Sequence, residues 1–140
     1  EHGDSEVLAW SNAKVGSLSL AEIAAQVGSP ITQSVRATID DGVRNAAYKI
    51  IKGKGGAYYG IGAGLARIVK AIAADRHDVL TVSCVTLEVA GVRDVALSIP
   101  RVIGANGIEV DLMPDIDAEE AEGLAKSAKL LKDSVESISL

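Results

Sequence analysis

The chain has 140 residues, a net charge of -5 and a pI near 5.0, and 48% of its residues are hydrophobic although only 3% are aromatic. This length suits one domain with a core of Ala, Val, Leu and Ile. The negative charge argues against a nucleic-acid partner, because the phosphates would be repelled. No apolar stretch approaches the roughly 18 residues of a membrane span, and no basic run suggests a lipid surface.

The single cysteine, Cys84, excludes an internal disulfide and a cysteine-based metal site. This cysteine usage fits a reducing, cytoplasmic compartment. The chain begins at Glu1, without a methionine or a secretory leader. We therefore expect it to be the second half of a longer protein.

The first five residues, Glu-His-Gly-Asp-Ser, place a histidine in a polar turn that contains glycine. His2 is the candidate for proton transfer, because histidine is the side chain that titrates near neutral pH. Asp4 is the local candidate for the carboxylate that orients its ring. A lone histidine in such a turn is more often a solvated surface residue, so the pentapeptide by itself leaves both interpretations open.

The next stretch predicts one short strand and one short helix. Residues 7–11 predict the strand, and residues 14–19 predict a loop. Ser19, with Glu22 three residues later, forms the pattern of a capping box for a helix that ends near Gly28.

An apolar period of three and four residues predicts one long helix over residues 31–52, about 30 Å in length. Its apolar positions are Ile31, Val35, Ile39, Val43, Ala46, Ala47, Ile50 and Ile51. Residues 53–56 contain three glycines and predict a loop.

A second long helix is predicted from Tyr58 to about Asp75. Three glycines recur every four residues around its start, namely Gly56, Gly60 and Gly64. This stripe predicts close packing of another backbone. It does not match a dinucleotide fingerprint, because Leu65 stands where the last glycine is needed and no strand precedes it; no P-loop follows either.

Alternating apolar and polar side chains predict three strands, over residues 77–87, 95–99 and 108–112. Residues 91–94 predict the first turn and Asn106-Gly107 the second. Pro100 is expected to disturb the ladder of the middle strand. Consecutive strands with short turns predict an antiparallel three-stranded sheet.

The last element is a helix that begins near Asp117, with Glu120 completing a second capping-box pattern. Its apolar seam consists of Ala121, Leu124, Ala128, Leu131, Val135 and Ile138. The acidic run at 115–122 is explained by the helix N-terminus. The predicted fold class is therefore α+β, with long helices packed on an antiparallel three-stranded sheet.

Three stretches also carry a family resemblance: residues 1–11 (EHGDSEVLAWS), 54–61 (KGGAYYGI) and 98–107 (SIPRVIGANG). In that order they resemble the active-site histidine segment, the loop into a pocket-lining helix and a late hairpin of the L-lactate/malate dehydrogenase family, most closely its bacterial lactate dehydrogenases. The resemblance implies that residues 1–140 are the C-terminal substrate-binding domain, and that the N-terminal NAD-binding domain is absent from this chain.

The resemblance implies NAD as the cofactor and a 2-keto or 2-hydroxy acid as the substrate. It implies His2 as proton donor and acceptor, Ala57 as a substrate contact, and Ile61 as the apolar side chain against the nicotinamide ring. Ala57 stands where lactate dehydrogenases commonly carry threonine, so malate dehydrogenase stays open as the runner-up. From the residues alone, Ala57 starts a helix and Ile61 belongs to the core.

The resemblance further implies a homodimer or homotetramer, because the counterpart of the 31–52 helix lies across a subunit interface in the family. No arginine of the chain lies in a segment like the family's substrate arginines, so the chain alone is expected to be inactive without its N-terminal half. A non-catalytic assembly or binding module is the alternative from another class of function.

No metal site is predicted, since the spacing of His2 and His77 is not that of metal ligands. His77 is expected to be solvated, and the three tyrosines to lie in the core or at a pocket rim.

Overall fold

The computed structural model describes residues 5–138, so residues 1–4 and 139–140 lie outside the described part. Its elements in chain order are β1 (Lys14–Val15), β2 (Leu18–Ser19), α1 (Leu20–Gln26), α2 (Gln33–Arg44), α3 (Ala46–Lys54), α4 (Tyr58–Ala73), β3 (Asp78–Val89), β4 (Val92–Gly104), β5 (Gly107–Asp111) and α5 (Ala118–Ile138). Strands β3, β4 and β5 form an antiparallel sheet in that order. The predicted α+β class is confirmed.

The core lies between this sheet and α5. Four buried side chains of β3 and β4 form one cluster with Ala128, namely Val89, Val95, Leu97 and Ile99, while Leu124 and Leu131 pack against it. Burying a side chain of this size contributes about 1.5–3 kcal/mol. The predicted seam of α5 is therefore correct in its middle, whereas Val135 and Ile138 near its end are exposed.

A fully buried arginine crosses the same sheet. Arg101 on β4 donates from Nε to Asp111 Oδ1 at 2.6 Å, and its Nη atoms donate to Thr86 Oγ1 and to the carbonyls of Val82, Cys84 and Leu97. Its acceptors thus come from all three strands. A buried charge needs such partners, since its desolvation is otherwise costly.

Pro100 does not interrupt β4, so the prediction of a disturbed ladder there was wrong. Pro100 pairs with Thr81 on β3, and its carbonyl accepts a hydrogen bond from Leu112 N at 2.9 Å. The register shift falls later, between Val102 and Ile103. The proline lacks an N–H group, but its carbonyl still joins β4 to the chain beyond β5.

The turns of the sheet lie close to the predicted positions. The β3–β4 turn is formed by Ala90 and Gly91, both with positive φ, so Val92 already begins the next strand. The predicted turn at 91–94 was therefore slightly late. The second hairpin is present as predicted, but its turn is formed by Ala105 and Asn106, one residue earlier than the predicted Asn106-Gly107, and Gly107 with a φ of 90° already begins β5.

The predicted helix over 31–52 is two helices, α2 and α3, separated at Asn45. The Asn45 side chain donates to both the backbone and the side-chain oxygen of Asp41, at 3.0 and 2.9 Å. Such local bonds of asparagine compete with a continuous helix. At the far end, α3 runs through Gly53 and stops at Gly55, whose φ is 79°, so the predicted loop at 53–56 is shorter than expected.

Two predictions near the start were also wrong. Residues 14–19 contain the β1–β2 hairpin rather than a loop, with Gly16 at a φ of 61° in its turn. Residues 7–11 do not form a strand, because their partners are helices rather than a neighbouring strand. The capping box of Ser19 and Glu22 at α1 is confirmed.

The surface of α4 differs from the sequence prediction. Apart from the adjacent residues and the backbone of α4 itself, a Cβ atom placed on Gly60 or Gly64 would meet no atom of the described residues within 4 Å, so the predicted close packing of this stripe does not occur within residues 5–138. Tyr58 and Tyr59 are 73% and 81% exposed, and Tyr48 on α3 is exposed too. They are not core residues.

Candidate active site

Residues 5–11, called the segment below, are held on α5. Ser5 Oγ lies 3.0 Å from Oγ of Ser127, and a methyl group of Val7 packs on Gly123. A Cβ atom at Gly123 would lie only 3.1 Å from that methyl carbon. The absence of a side chain at Gly123 therefore lets the segment approach the helix closely.

Trp10 attaches the same segment to α2. Its indole Nε1 donates to Asp40 Oδ1 at 2.9 Å, and the guanidinium of Arg36 lies 5.6 Å from the ring centroid. The first contact fixes the edge of the ring and the second stacks on its face. The two residues of α2 are four apart, so they lie on one face of the helix.

A cleft of about 590 Å³ lies between the segment, α2 and the start of α5. Arg44 spans part of it, donating from Nη2 to the Glu6 carbonyl at 3.0 Å. The Oε1 atom of Glu6 is buried and has no hydrogen-bond partner among the residues that the structure describes. Buried polar atoms are usually paired, so this oxygen is suited to accept a bond from a group beyond those residues.

At the start of α5, contacts with Ser11 take the place of one of the two hydrogen bonds of the predicted capping box. Asp117 accepts from Glu120 N at 2.9 Å, as predicted. The Glu120 carboxylate, however, accepts from Ser11 N at 2.8 Å and from the Ser11 hydroxyl. Ser11 Oγ in turn accepts from Asp117 N at 3.1 Å. The helix start is therefore tied to a residue more than 100 positions earlier.

Of the site residues predicted from the sequence, the structure describes Ala57 and Ile61. His2 and Asp4 fall outside the described residues. Ala57 is the half-buried N-cap of α4, where it makes no side-chain capping bond, and Ile61 is 61% exposed one turn later. Ile61 N donates to the Ala57 carbonyl at 3.2 Å, so the structure brings these two together.

The first two residues of α4, Tyr58 and Tyr59, pack against the chain that precedes the helix. The ring of Tyr58 fills the space beside buried Gly56, where a Cβ atom would lie 2.5 Å from the ring. The Lys54 ammonium lies 5.0 Å from the centroid of Tyr59. Ala57 and Ile61 thus border an exposed surface that is mostly apolar. The expectation that Ile61 belongs to the core was wrong for this part of the chain.

A sequence model of the lactate/malate dehydrogenase alpha/beta C-terminal domain matches residues 1–139. The chain belongs to this family.

Several relatives of this dehydrogenase domain share about half or more of its aligned residues. The chain is 67% identical over 133 residues to the L-lactate dehydrogenase of Allorhizobium ampelinum, covering 95% of this chain and 43% of that protein. It is 54% identical over 132 residues to the L-lactate dehydrogenase of Thermus aquaticus, covering 94% and 43%. A crystal structure of the minor L-lactate dehydrogenase from Enterococcus mundtii superposes with a TM-score of 0.90 at 34% identity, covering all of this chain and 44% of that one. The domain therefore spans less than half the length of these relatives.

Sequence reasoning missed the contacts that hold the segment of residues 5–11. The apolar pattern of α2 gave no indication that Arg36, Asp40 and Arg44 share a face turned toward Trp10 and Glu6. The spacing of four between these three residues was the available signal.

No helix within residues 5–138 of the dehydrogenase domain has the length and apolarity needed to cross a bilayer.

Proposed function

We propose that this chain is the C-terminal, substrate-binding domain of an NAD-dependent L-lactate dehydrogenase, an oxidoreductase that interconverts pyruvate and L-lactate. The match of the family model over residues 1–139, together with 67% identity to a relative named L-lactate dehydrogenase, carries this proposal. The NAD-binding half lies outside residues 1–140 and is the partner that the domain requires. A cytoplasmic location is supported by the exposed free thiol of Cys84.

His2 is proposed as the proton donor to the ketone oxygen of pyruvate, and as the proton acceptor in the reverse direction. General acid catalysis needs a side chain within hydrogen-bond reach of that oxygen. The support is the anchoring of the segment that begins three residues later, through Ser5, Val7 and Trp10. Such anchoring limits the loss of orientation that a flexible terminus would cause. Asp4, or a carboxylate from the other half, would orient the ring.

Ile61 is proposed as the residue that faces the nicotinamide ring. When bound, NADH supplies the hydride that reduces C2 of the keto acid. The observation that fits this ring is an aliphatic side chain, 61% exposed, on the first turn of α4 beside exposed Tyr58. An aliphatic surface packs against a flat ring and excludes water from the reacting carbon.

Ala57 is proposed as a substrate contact. It caps the same helix and offers a methyl group where a threonine would offer a hydroxyl, so the pocket would be wider and have one hydrogen-bond group fewer. A wider pocket favours the larger oxaloacetate, and malate dehydrogenase is therefore the second candidate function.

A homodimer or homotetramer is proposed as the assembly. Six apolar or aromatic side chains of α2 and α3 are between 39% and 53% exposed, namely Val35, Ile39, Val43, Tyr48, Ile50 and Ile51. Exposed apolar patches of this kind mark association surfaces. Sedimentation equilibrium of the full-length protein is expected to show a dimer or larger; a monomer would contradict both this assembly and a role as an assembly module.

The test of the proposed function is NADH oxidation by the full-length protein, with pyruvate and oxaloacetate run side by side. We expect turnover with both halves present and a higher kcat/KM for pyruvate. A preference for oxaloacetate would identify the malate dehydrogenase alternative and assign the change to the pocket around Ala57. No turnover with either keto acid would contradict both dehydrogenase functions and would leave the non-catalytic binding module as the remaining interpretation.

A further inference from the structure

Three potential metal ligands converge near the end of α4, whereas Ala57 and Ile61 lie at its start. Asp75 lies in the connection after α4, His77 just before β3, and Glu109 on β5. One ligand atom from each can be chosen so that all three lie within 4.8 Å of one another. His77 Nε2 lies 3.1 Å from Glu109 Oε2, and His77 Nδ1 lies 3.7 Å from Asp75 Oδ1. Spacing along the sequence did not reveal this group, because β5 is brought to β3 only by the sheet.

The hydrogen bonds of His77 leave one ring nitrogen for a ligand. Nδ1 lies 3.0 Å from the Asp75 carbonyl oxygen, which can only accept, so Nδ1 carries a proton and donates it. In the neutral ring the lone pair is then on Nε2, directed at the Glu109 carboxylate. At 3.1 Å from the carboxylate oxygen, Nε2 either carries a second proton that it donates to Glu109 or directs its lone pair at a cation that Glu109 also binds. Metal-bound histidines typically donate their other N–H to a carbonyl in this way.

The two carboxylates are held by the backbone around the β4–β5 turn. Ala105 N donates to Asp75 Oδ1 at 2.8 Å, which ties the α4–β3 connection to this turn. The Glu109 carboxylate occupies the space where Gly104 has no side chain; a Cβ atom there would lie 2.2 Å from Glu109 Oε1. Because its carboxylate is confined in this way, Glu109 needs little further ordering to bind an ion.

We propose that Asp75, His77 and Glu109 bind one divalent transition-metal ion, for which zinc is the best match. One imidazole and two carboxylates are ligands that Zn²⁺ accepts, with bonds of about 2.0–2.2 Å. Such bonds place tetrahedral ligands about 3.3 Å apart, close to the 3.1 Å between His77 and Glu109. Asp75 Oδ1 lies 3.7 Å from Nδ1, the ring nitrogen that would not bind the ion, so the Asp75 carboxylate must turn toward Nε2 to complete the three ligands. The side chains of His77 and Asp75 are more than half exposed, so water completes the coordination.

The ion would join the α4–β3 connection to β5 and so stabilise one end of the sheet. This role is separate from the proposed dehydrogenase chemistry and does not depend on it. Because only the folded chain brings the three ligands together, the ion is expected to raise the unfolding temperature.

The test is isothermal titration of the full-length, chelator-treated protein with Zn²⁺. We expect one ion that His77→Asn and Glu109→Gln each bind at least about tenfold more weakly, the range seen when a metal's surroundings are altered. Glu88→Gln, which removes the same charge from exposed Glu88 on β3, is the matched control and should bind like the parent. Circular dichroism without metal checks that each variant is folded.

A second measurement needs no variant. Zinc added to the parent protein should shift or broaden the NMR signals of the His77 imidazole before those of other histidines. Equal zinc affinity in the parent and in His77→Asn would overturn the proposal. His77 signals that do not respond to zinc would also overturn the proposal. This second outcome needs no variant, so it tests the zinc site even if a variant fails to fold.

Discussion

Trp10 and Asp40, 30 residues apart, are joined by a hydrogen bond of 2.9 Å from the indole Nε1 to the carboxylate Oδ1. This bond connects the segment of residues 5–11 to α2, while Ser5 and Ser11 connect it to α5. The position of the segment is therefore determined by two helices that lie far apart in the sequence.

The Trp10–Asp40 bond is expected to contribute about 0.5–1.5 kcal/mol to the free energy of unfolding, the usual net value of a protein hydrogen bond. Trp10→Phe keeps an aromatic ring under Arg36 but removes the donor, and Asp40→Ala removes the acceptor. A double-mutant cycle by urea unfolding should give a coupling energy of about 1 kcal/mol. A coupling energy of zero would show that the segment is not anchored through this pair.

Arg101→Met is expected to lower the free energy of unfolding by about 3 kcal/mol or more, because each buried acceptor left unpaired costs about 1–3 kcal/mol. Arg101 is fully buried and serves acceptors on three strands. Arg93→Met, on an exposed position of the same strand, is the matched control and should change stability by less than about 0.5 kcal/mol. Equal effects of the two substitutions would contradict the structural role of Arg101.

Ile61→Gln is expected to raise KM for NADH in the full-length enzyme, because an amide would replace the aliphatic surface proposed to face the nicotinamide ring. Val69→Gln is the matched control: Val69 lies on the same helix and is also 61% exposed. Steady-state kinetics should show an increase of several-fold for the first variant alone. An equal change in both would point to a general effect on α4 rather than a contact.

Acid is expected to weaken the start of α1. The Ser19 hydroxyl and then the Ser19 N–H donate to the Glu22 carboxylate, and with Lys14 nearby they hold the pKa of Glu22 below its ordinary value of 4.5. A lowered folded pKa means that this stabilisation is complete above the unfolded value and is lost as the pH falls through the folded pKa.

NMR titration checks this directly. Ser19→Ala removes the largest cause, so the pKa of Glu22 should rise toward 4.5 and the unfolding temperature below that pH should become less dependent on acid. Ser17→Ala, at an exposed position two residues earlier, is the control. An unchanged pKa of Glu22 in Ser19→Ala would contradict the capping box.

Local patterns predicted the elements well where neighbouring residues determine them. The capping box at Ser19, the hairpin indicated by Asn106-Gly107 and the middle of the α5 seam follow from short-range rules. The break at Asn45 was missed because apolar periodicity continues through it, whereas the cause is a side-chain bond to Asp41. The burial of Arg101 was missed because it depends on three strands meeting.

The candidate site was less predictable for the same reason. Ala57 and Ile61 were identified through resemblance, and their exposure could not be read from helical periodicity, since the pattern does not distinguish a buried face from one that another domain covers. The contacts of Trp10 and of His77 with distant residues required the assembled fold.

The most direct test of the proposed function is the effect of His2→Asn on pyruvate reduction by the full-length protein. Loss of a general acid is expected to lower kcat by about 10²–10⁴-fold, with the pH dependence of kcat/KM near neutrality removed and the circular dichroism unchanged. A His2→Asn protein that reduces pyruvate at the parent rate, with the same pH profile, would contradict the role of His2 as the general acid. A parent protein that does not reduce pyruvate at all would contradict the central proposal for this domain.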